Sequence, residues 1–488
     1  MDFKGGAETN RGEMRRKIDK WFEAHTDEMI TDLGRLIAIN SERGPAAEGA
    51  PYGDGPRAAL TLARSMLEEY GFEVSDFEDI IITSDTGPAP PFMGILAHLD
   101  TVGTGDGWNT DPHKMMVIDG KIYGRGSTDN KGPSVAAMYA MRCARELCPD
   151  MQRGFRLLLG SGEETGCEDI DYYLSKAEPP PNVFTPDADY PVVNTEKGRI
   201  TPFFAASWDD ETSSPGKEKA LPRVISVTGG NTINVVPNRA EAVIKGFTIA
   251  EVEGFCREYS KKTGAAFSAR KNGNDSGQLT IIAEGASSHA ASPHLGLNAQ
   301  TAMLEMLAAM PFAETAGFGY IRALNRLFPH GDYRGRAIGI AMGDETTGEL
   351  TVNFGVLRFS EIELAGNFDS RTPACADDAD LPGITRAALE REGIKMTNLT
   401  VSRCHHTPED SPFVQRLLRI YEEYTGEPGL CLAVGGQTYA HNIPGGVAFG
   451  VGVSGIDNKI HGANEYIGMD QLLLSAKMFT RAILDMCG

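Results

Sequence analysis

The chain has 488 residues, 41% of them hydrophobic and 23% charged, with 46 basic against 67 acidic side chains and a net charge of −21. That length is too great for one core and implies two or three domains. The acidic balance argues against nucleic acid or an anionic membrane surface as a partner. No run of about 18 apolar residues occurs, so no membrane span is expected. The N-terminal stretch has no apolar core of signal-peptide length. Eight cysteines, scattered from Cys143 to Cys487 without a C-x-x-C pair, read as free thiols of a reducing compartment. The expected location is therefore cytoplasmic.

Apolar residues at helical spacing (Ile18, Phe22, Met29, Leu33, Leu36) predict a helix over about 12–39. A Gly- and Pro-rich loop follows over 41–55, then a helix over 56–70 with Gly71 just past its end. Residues 72–83 read as a strand pair. The run from Phe92 to Ala97 reads as a buried strand that stops at His98, Leu99 and Asp100. Residues 103–119 are polar and turn-rich. A helix is expected over 133–147, with Pro133 near its first turn. Further buried strands over 155–159 and 183–186 end at Glu163-Glu164 and at Asp187. Strand, then acid or His at its C-terminal end, then helix is the pattern of an open α/β sheet with a site along one edge.

From about residue 200 the patterning changes. Residues 201–285 are strand-rich, a helix covers 298–310, and paired strands fall over 350–359 and 361–369. A helix over 381–392 and a strand over 396–402 complete an α+β insert, read as two similar subdomains. The α/β patterning of the N-terminal segment returns with a helix over 412–424, a buried strand over 447–453 and a closing helix over 469–486. The chain thus leaves its first domain near 199 and re-enters it near 405, giving segments 1–198, 199–404 and 405–488. The fold class is α/β: a mixed, largely parallel central sheet flanked by helices, with the α+β insert. Residues 320–344 read as an extra surface segment without a role.

The chemistry gathers at the strand ends: His98, Asp129, Glu163, Glu164 and Asp187, joined by His461 from the returning segment. Alone, each has an ordinary reading. A lone H-x-D is common, Asp129 suits a helix cap, and two adjacent acids usually face solvent. Together, two imidazoles and three carboxylates suit a pair of divalent ions, zinc, manganese or cobalt. The natural arrangement gives each ion one His and one carboxylate, with one Asp shared. His98 and Asp100, two apart on a strand, share a face, so Asp100 can orient His98. Two such ions can lower the pKa of a shared water and polarise a carbonyl. One of the Glu163–Glu164 pair can ligate while the other moves the water's proton to the leaving group.

Nine motifs in order carry a resemblance: AHLDTV (97–102), GRGSTDNKGP (124–133), GSGEETGC (160–167), TPDADYPVVNTEKG (185–198), NVVPN (234–238), SSHAASPHLGLNA (287–299), DSRTP (369–373), GGQTYA (435–440) and HGANEY (461–466). Over nearly its whole length the chain resembles the zinc-dependent aminoacylase, carboxypeptidase and dipeptidase family that also contains acetylornithine deacetylase. Within it, the dipeptidase V-like branch is the most similar. The resemblance implies one ion held by His98, Asp129 and Asp187 and a second by Asp129, Glu164 and His461. It makes Asp129 the bridge, Glu163 the general base and acid, and Asp100 the residue that orients His98. It makes the insert a lid that brings His289 to the oxyanion and Asn234 and Arg371 to the substrate's carboxylate. The lid, at about 205 residues, is longer than in dimeric relatives, which in this branch lets a monomer be competent; a homodimer stays open. Asn130 stands where many relatives have Met. His405-His406 can mimic a metal site but reads better as a loop pair. The implied reaction is hydrolysis of the amide bond of a dipeptide or small unblocked peptide, with an N-acyl amino acid deacylase or a carboxypeptidase as the alternative.

Overall fold

The computed structural model describes residues 4–209, 222–272 and 277–488, with side chains from residue 12 onward. The first residues of the stretch read for a targeting signal, and 210–221 and 273–276 within the span expected to be strand-rich, lie outside the described residues. Two compact units emerge. One comprises Met1–Thr195, His406–Ala433 and Gln437–Gly488, the other Glu196–His405 and Val434–Gly436. Among the described residues no helix is long and apolar enough to cross a membrane.

The first unit is built on a mixed sheet. Its strands run in the spatial order Val74–Phe77, Ile81–Thr86, Gly154–Gly160, Pro91–His98, Asn182–Thr185, Val447–Ala448 and Val192–Glu196. Pro91–His98 pairs in parallel with Gly154–Gly160 on one side and with Asn182–Thr185 on the other. From Met93 to His98 every residue of the central strand is buried, as a parallel strand covered on both faces must be. The helices Lys4–Ile37, Lys131–Leu147 and Met469–Cys487 pack against one another and close the core with Leu33, Met138, Phe479 and Ile483. Burying each such side chain contributes roughly 1.5–3 kcal/mol. Register matters most at one point: His98 lies opposite Gly160. The carboxyl ends of these neighbouring parallel strands, where α/β sheets place their ligands, therefore deliver His98 and the Ser161–Gly166 turn side by side.

Among the described residues the second unit is built on an antiparallel sheet of eight strands, in the order Ala266–Lys271, Gln278–Glu284, Arg239–Lys245, Arg223–Gly229, Thr351–Phe359, Glu363–Thr372, Gly198–Ser207 and Lys395–Ser402. Helices Ile249–Thr263, Ala299–Ala309, Ala316–Leu327 and Leu381–Arg391 supply Val252, Met303, Leu324 and Leu389 to its core. The α/β class with a helix-flanked mixed sheet and an α+β insert is thus the architecture observed.

Three local readings are corrected. Helix Ile249–Thr263 interrupts the span expected to be strand-rich; its capping box, Thr248 with Glu251, is a start signal visible in the sequence. Residues 320–344 are no surface appendage, because Ile321, Leu324, Leu327 and Phe328 are buried in the second core. The polar span 103–119 ends in a strand, Met116–Ile118, that forms a small sheet with Lys121–Tyr123 and Tyr466–Gly468. The span expected to hold two subdomains carries one continuous eight-stranded sheet among its described residues.

Candidate metal centre

Five of the expected residues converge in the first unit as two overlapping groups: His98, Asp129 and Asp187, and Asp129, Glu164 and His461. Within each group the ligand atoms lie within 4.8 Å of one another. Asp129 belongs to both. Its Oδ1 is 3.1 Å from His98 Nε2 and its Oδ2 is 2.9 Å from His461 Nε2. Asp187 Oδ2 is 3.5 Å from His98 Nε2, and Glu164 Oε2 is 3.1 Å from His461 Nε2. One carboxylate therefore faces two imidazoles, one through each oxygen.

These side chains are held from behind. His98 Nδ1 lies 3.0 Å from the backbone carbonyl of Asp100; donating there leaves Nε2 as the lone-pair nitrogen that faces the carboxylates. The Asp100 main chain thus comes closer to His98 Nδ1 than its carboxylate does. Its carboxylate stands 3.4 Å from Nδ1 and accepts the backbone N–H groups of Glu163 and Glu164 at 3.3 and 3.1 Å. Asp100 thereby ties the His98 strand to the turn that carries both glutamates. Asn130 donates to Asp187 Oδ1 at 3.2 Å and to the Pro186 carbonyl at 3.0 Å, so the residue that departs from the family pattern orients Asp187. His461 sits in the left-handed region at φ 60, a costly conformation for a non-glycine residue and one that clusters at functional sites.

The electrostatics fit a cation pair. Burial alone would lower the pKa of each imidazole, yet the surrounding carboxylates outweigh it. His98, ringed by Asp100, Asp129 and Asp187, is held well above its ordinary value. His461, beside Asp129 and Glu164, rises to about 11. Burial opposes ionisation of Asp129, but the His461 and His98 imidazoles prevail and hold it low. Carboxylates set around two imidazoles attract positive charge, and binding a metal there would displace protons. Buried His98 Nε2 and Glu164 Oε1 make no hydrogen bond, as befits atoms kept for a ligand that is not protein. Burial first, then the charge of Asp187, pushes the Glu163 carboxyl well above the usual range, which suits a group that takes and returns a proton.

Three supports had no local signal in the sequence. Glu465 is fully buried and accepts from Arg125 Nη1 at 2.7 Å and from the backbone N–H groups of Gly126, Thr128 and Asp129 at 2.9–3.1 Å. It clamps the loop that carries Asp129 to the segment that carries His461. Asp169 accepts the N–H groups of Ser161 and Gly162 at 2.7 and 2.8 Å and the hydroxyl of Tyr439, whose ring meets that of His98 edge-on at 6.2 Å. His406 bonds Thr195 Oγ1 at 2.9 Å and belongs to neither group; with His405 it forms a two-residue strand rather than the expected loop pair.

In the second unit, the strand bridge between Val235 and His289 and the Ala290 N–H to Asn234 carbonyl bond of 2.8 Å place Asn234 and His289 side by side, with His289 exposed. Asn353 Nδ2 clamps that segment by donating to the carbonyls of Ile233 and Val235 at 3.1 and 3.0 Å. Asn353 stands opposite Asp369 across the strand pair. Arg371 is buried and already engaged. Nε and Nη2 donate to Asp369 at 2.7 and 3.4 Å, and Nη1 to the Gly435 carbonyl at 2.7 Å.

Residues 94–485 match the family model described as Peptidase family M20/M25/M40. The chain is 32% identical over 465 residues to the "Putative dipeptidase YtjP" of Bacillus subtilis (strain 168), covering 94% of this chain and 97% of that one. It is 32% identical over 473 residues to the "Beta-Ala-Xaa dipeptidase" of Lactobacillus delbrueckii subsp. lactis, covering 95% and 97%. The fold is similar to that of human carnosine dipeptidase 1, with a TM-score of 0.54 at 15% identity over 97% of this chain and 99% of that one. It is likewise similar to a tripeptidase from Staphylococcus aureus, with a TM-score of 0.56 at 14% identity over 94% and 98%. The chain belongs to peptidase family M20/M25/M40.

Proposed function

We propose that this peptidase is a dipeptidase that cleaves the amide bond of small unblocked peptides with two divalent cations, zinc first among zinc, manganese and cobalt. The observation that carries this reading is Asp129, one carboxylate turned by its two oxygens to two imidazoles that each have a further acid beside them. The two names reported for the similar chains, a putative dipeptidase and a Beta-Ala-Xaa dipeptidase, support the substrate class. His98, Asp129 and Asp187 would hold one cation and Asp129, Glu164 and His461 the other. The charges of such a site, four positive and three negative, leave one positive charge to favour a developing oxyanion. The cations would supply Lewis acidity, polarising the scissile carbonyl and lowering the pKa of an attacking water.

The side chains do the rest. Glu163 takes a proton from the attacking water and hands it to the leaving amine. Asp100 holds the 163–164 turn and His98 in one frame, so base and ligands keep their spacing. The first unit serves as the catalytic domain and the second as the lid, with boundaries near 198 and 405. His289 donates to the oxyanion, and Asn234 and the N–H groups of Arg371 not taken by Asp369 and Gly435 bind the substrate's carboxylate. The cytoplasm and a monomer fit this reading.

The test strips the protein with a chelator, restores zinc or manganese, and assays dipeptides beside N-acetyl amino acids and longer peptides. About two ions per chain, with Glu163→Ala losing at least about a hundredfold in kcat while keeping its metal, is the expected result. Cleavage of the N-acetyl panel alone would make the protein a deacylase, release of residues from longer peptides alone would make it a carboxypeptidase, and absence of bound metal would overturn all three.

A further inference from the structure

The polar face of the second unit's sheet carries more positive charge than Arg371 alone requires. Three adjacent strands, Gly198–Ser207, Glu363–Thr372 and Thr351–Phe359, put Arg199 directly opposite Arg371, and Arg371 directly opposite Thr351. Residues two apart on a strand share a face, so Thr201 lies beside Arg199, and Asp369 and Asn353 lie beside Arg371 and Thr351. The other face carries Ile200, Val352, Phe354 and Phe368 into the core. Two arginines directly opposite across a strand pair repel, and a single buried carboxylate, Asp369, stands between them. It takes Nε and Nη2 of Arg371 as hydrogen bonds and approaches Arg199 Nε at 2.9 Å. Asp369 neutralises one guanidinium, so the trio keeps one positive charge.

The two arginines are not equivalent. The Arg371 side chain is 5% exposed, with its fork committed to Asp369 and Gly435; that of Arg199 is 30% exposed. Arg199 Nε makes no hydrogen bond despite its closeness to Asp369, and the buried hydroxyls of Thr201 and Thr351 on the same face have no partner either. Three orphaned polar atoms around an uncompensated charge are costly in a folded sheet. They describe a site whose missing partner is an anion with planar, paired acceptors, the chemistry for which a guanidinium is shaped.

Resting on the dipeptidase reading, we propose that Arg199 is a specificity-determining residue that recognises the substrate's C-terminal carboxylate, with Arg371 held in place by Asp369 as the inner member of the pair. Arg371 alone would present a charge already spent on Asp369. Arg199 restores it and makes a free carboxylate, rather than an amide, the preferred terminus.

The test compares ion-loaded wild type, Arg199→Gln and Arg199→Lys on one dipeptide and on the same dipeptide with a C-terminal carboxamide. Loss of a charge-assisted contact should raise KM for the acid about tenfold or more in Arg199→Gln, with kcat within about threefold and the amide nearly unchanged. Arg199→Lys, which keeps the charge without the fork and guards against a folding defect in the first variant, should fall between; thermal unfolding monitors the fold of both. Equal losses on acid and amide would make Arg199 a structural counter-charge for Asp369 and overturn the inference while the dipeptidase reading stands. A loaded wild type that cleaves no dipeptide would overturn that reading, and the inference with it.

Discussion

Replacing Glu465 with Ala should be among the most damaging changes in the first unit, although this residue lies outside both metal-binding groups. Its carboxylate accepts four hydrogen bonds, one from Arg125 and three from the backbone of the loop that ends at Asp129. Without it, Arg125 remains buried, with Nη2 on the carbonyls of Gly103 and Thr104, the Trp108 ring beneath it and no counter-charge. Breaking a buried pair by removing one partner costs about 3–5 kcal/mol, enough to consume much of a typical stability of about 5–15 kcal/mol. Urea unfolding of the chelated protein measures this, and the Asp129 amide, freed from Glu465, should also weaken metal retention. The double change Glu465→Leu with Arg125→Met should cost at least about 1 kcal/mol less than Glu465→Ala alone, because no uncompensated charge is left. A Glu465→Ala protein within about 1 kcal/mol of wild type, or a double variant worse than the single one, would refute the claim that a buried charge pair holds this loop.

Two further outcomes follow from packing and from titration. Gly160 has no room for a β-carbon, which would run into the Tyr439 hydroxyl and Asp169; Gly160→Ala should separate that pair from the glutamate turn and cut kcat about tenfold or more through misplacement, and unchanged kinetics would show that the contact is dispensable. His330 is half-buried in the second unit, with Nε2 on the Thr263 carbonyl at 3.0 Å and Nδ1 beside Thr301 Oγ1 at 2.9 Å, and burial lowers its pKa below 6.5. Above pH 6.5 both folded and unfolded forms keep it neutral. Below that, the unfolded chain binds a proton that the folded one refuses, so its contribution falls by up to about 1.4 kcal/mol per pH unit. Urea unfolding at pH 7.5 and 5.5 should show the gap between wild type and His330→Gln narrowing at the lower pH, and a constant gap would refute the assignment.

Much of the first unit is legible in the sequence because buried parallel strands advertise themselves. The run from Phe92 to Ala97 is apolar without alternation, stops at polar residues, and needs helices on both faces, so its end reads as a site. His98, Asp129, Glu164, Asp187 and His461 stand at such ends or in the loops beside them. The supports are not legible for a physical reason. Glu465 meets Arg125 across 340 residues, and Tyr439 meets Asp169 across 270, so neither pair leaves a local pattern. In the second unit, Arg371 reads from sequence as an open fork, whereas its partner Asp369, two residues away in the same motif, already occupies it. The helix Ile249–Thr263 escapes a reading of the sequence despite its visible capping box, because the strands on either side dominate the pattern.

The position of Val447–Ala448 in the first sheet has a consequence for biosynthesis. This two-residue strand lies between Asn182–Thr185 and Val192–Glu196, so it joins partners made roughly 250 residues before it. At a synthesis rate of about 5–20 residues per second, the ribosome would spend roughly 10–50 s extending the chain with that sheet interrupted. During that interval the N-terminal segment of the first unit has strand edges with nothing to pair, a hazard for aggregation. The second unit, by contrast, is nearly contiguous in sequence and emerges almost whole before the gap is filled. The expected order of maturation on the ribosome is inside-out: the inserted unit gains its fold first, and the unit that begins the chain is completed only when the C-terminal segment arrives with its central strand, His461 and closing helix.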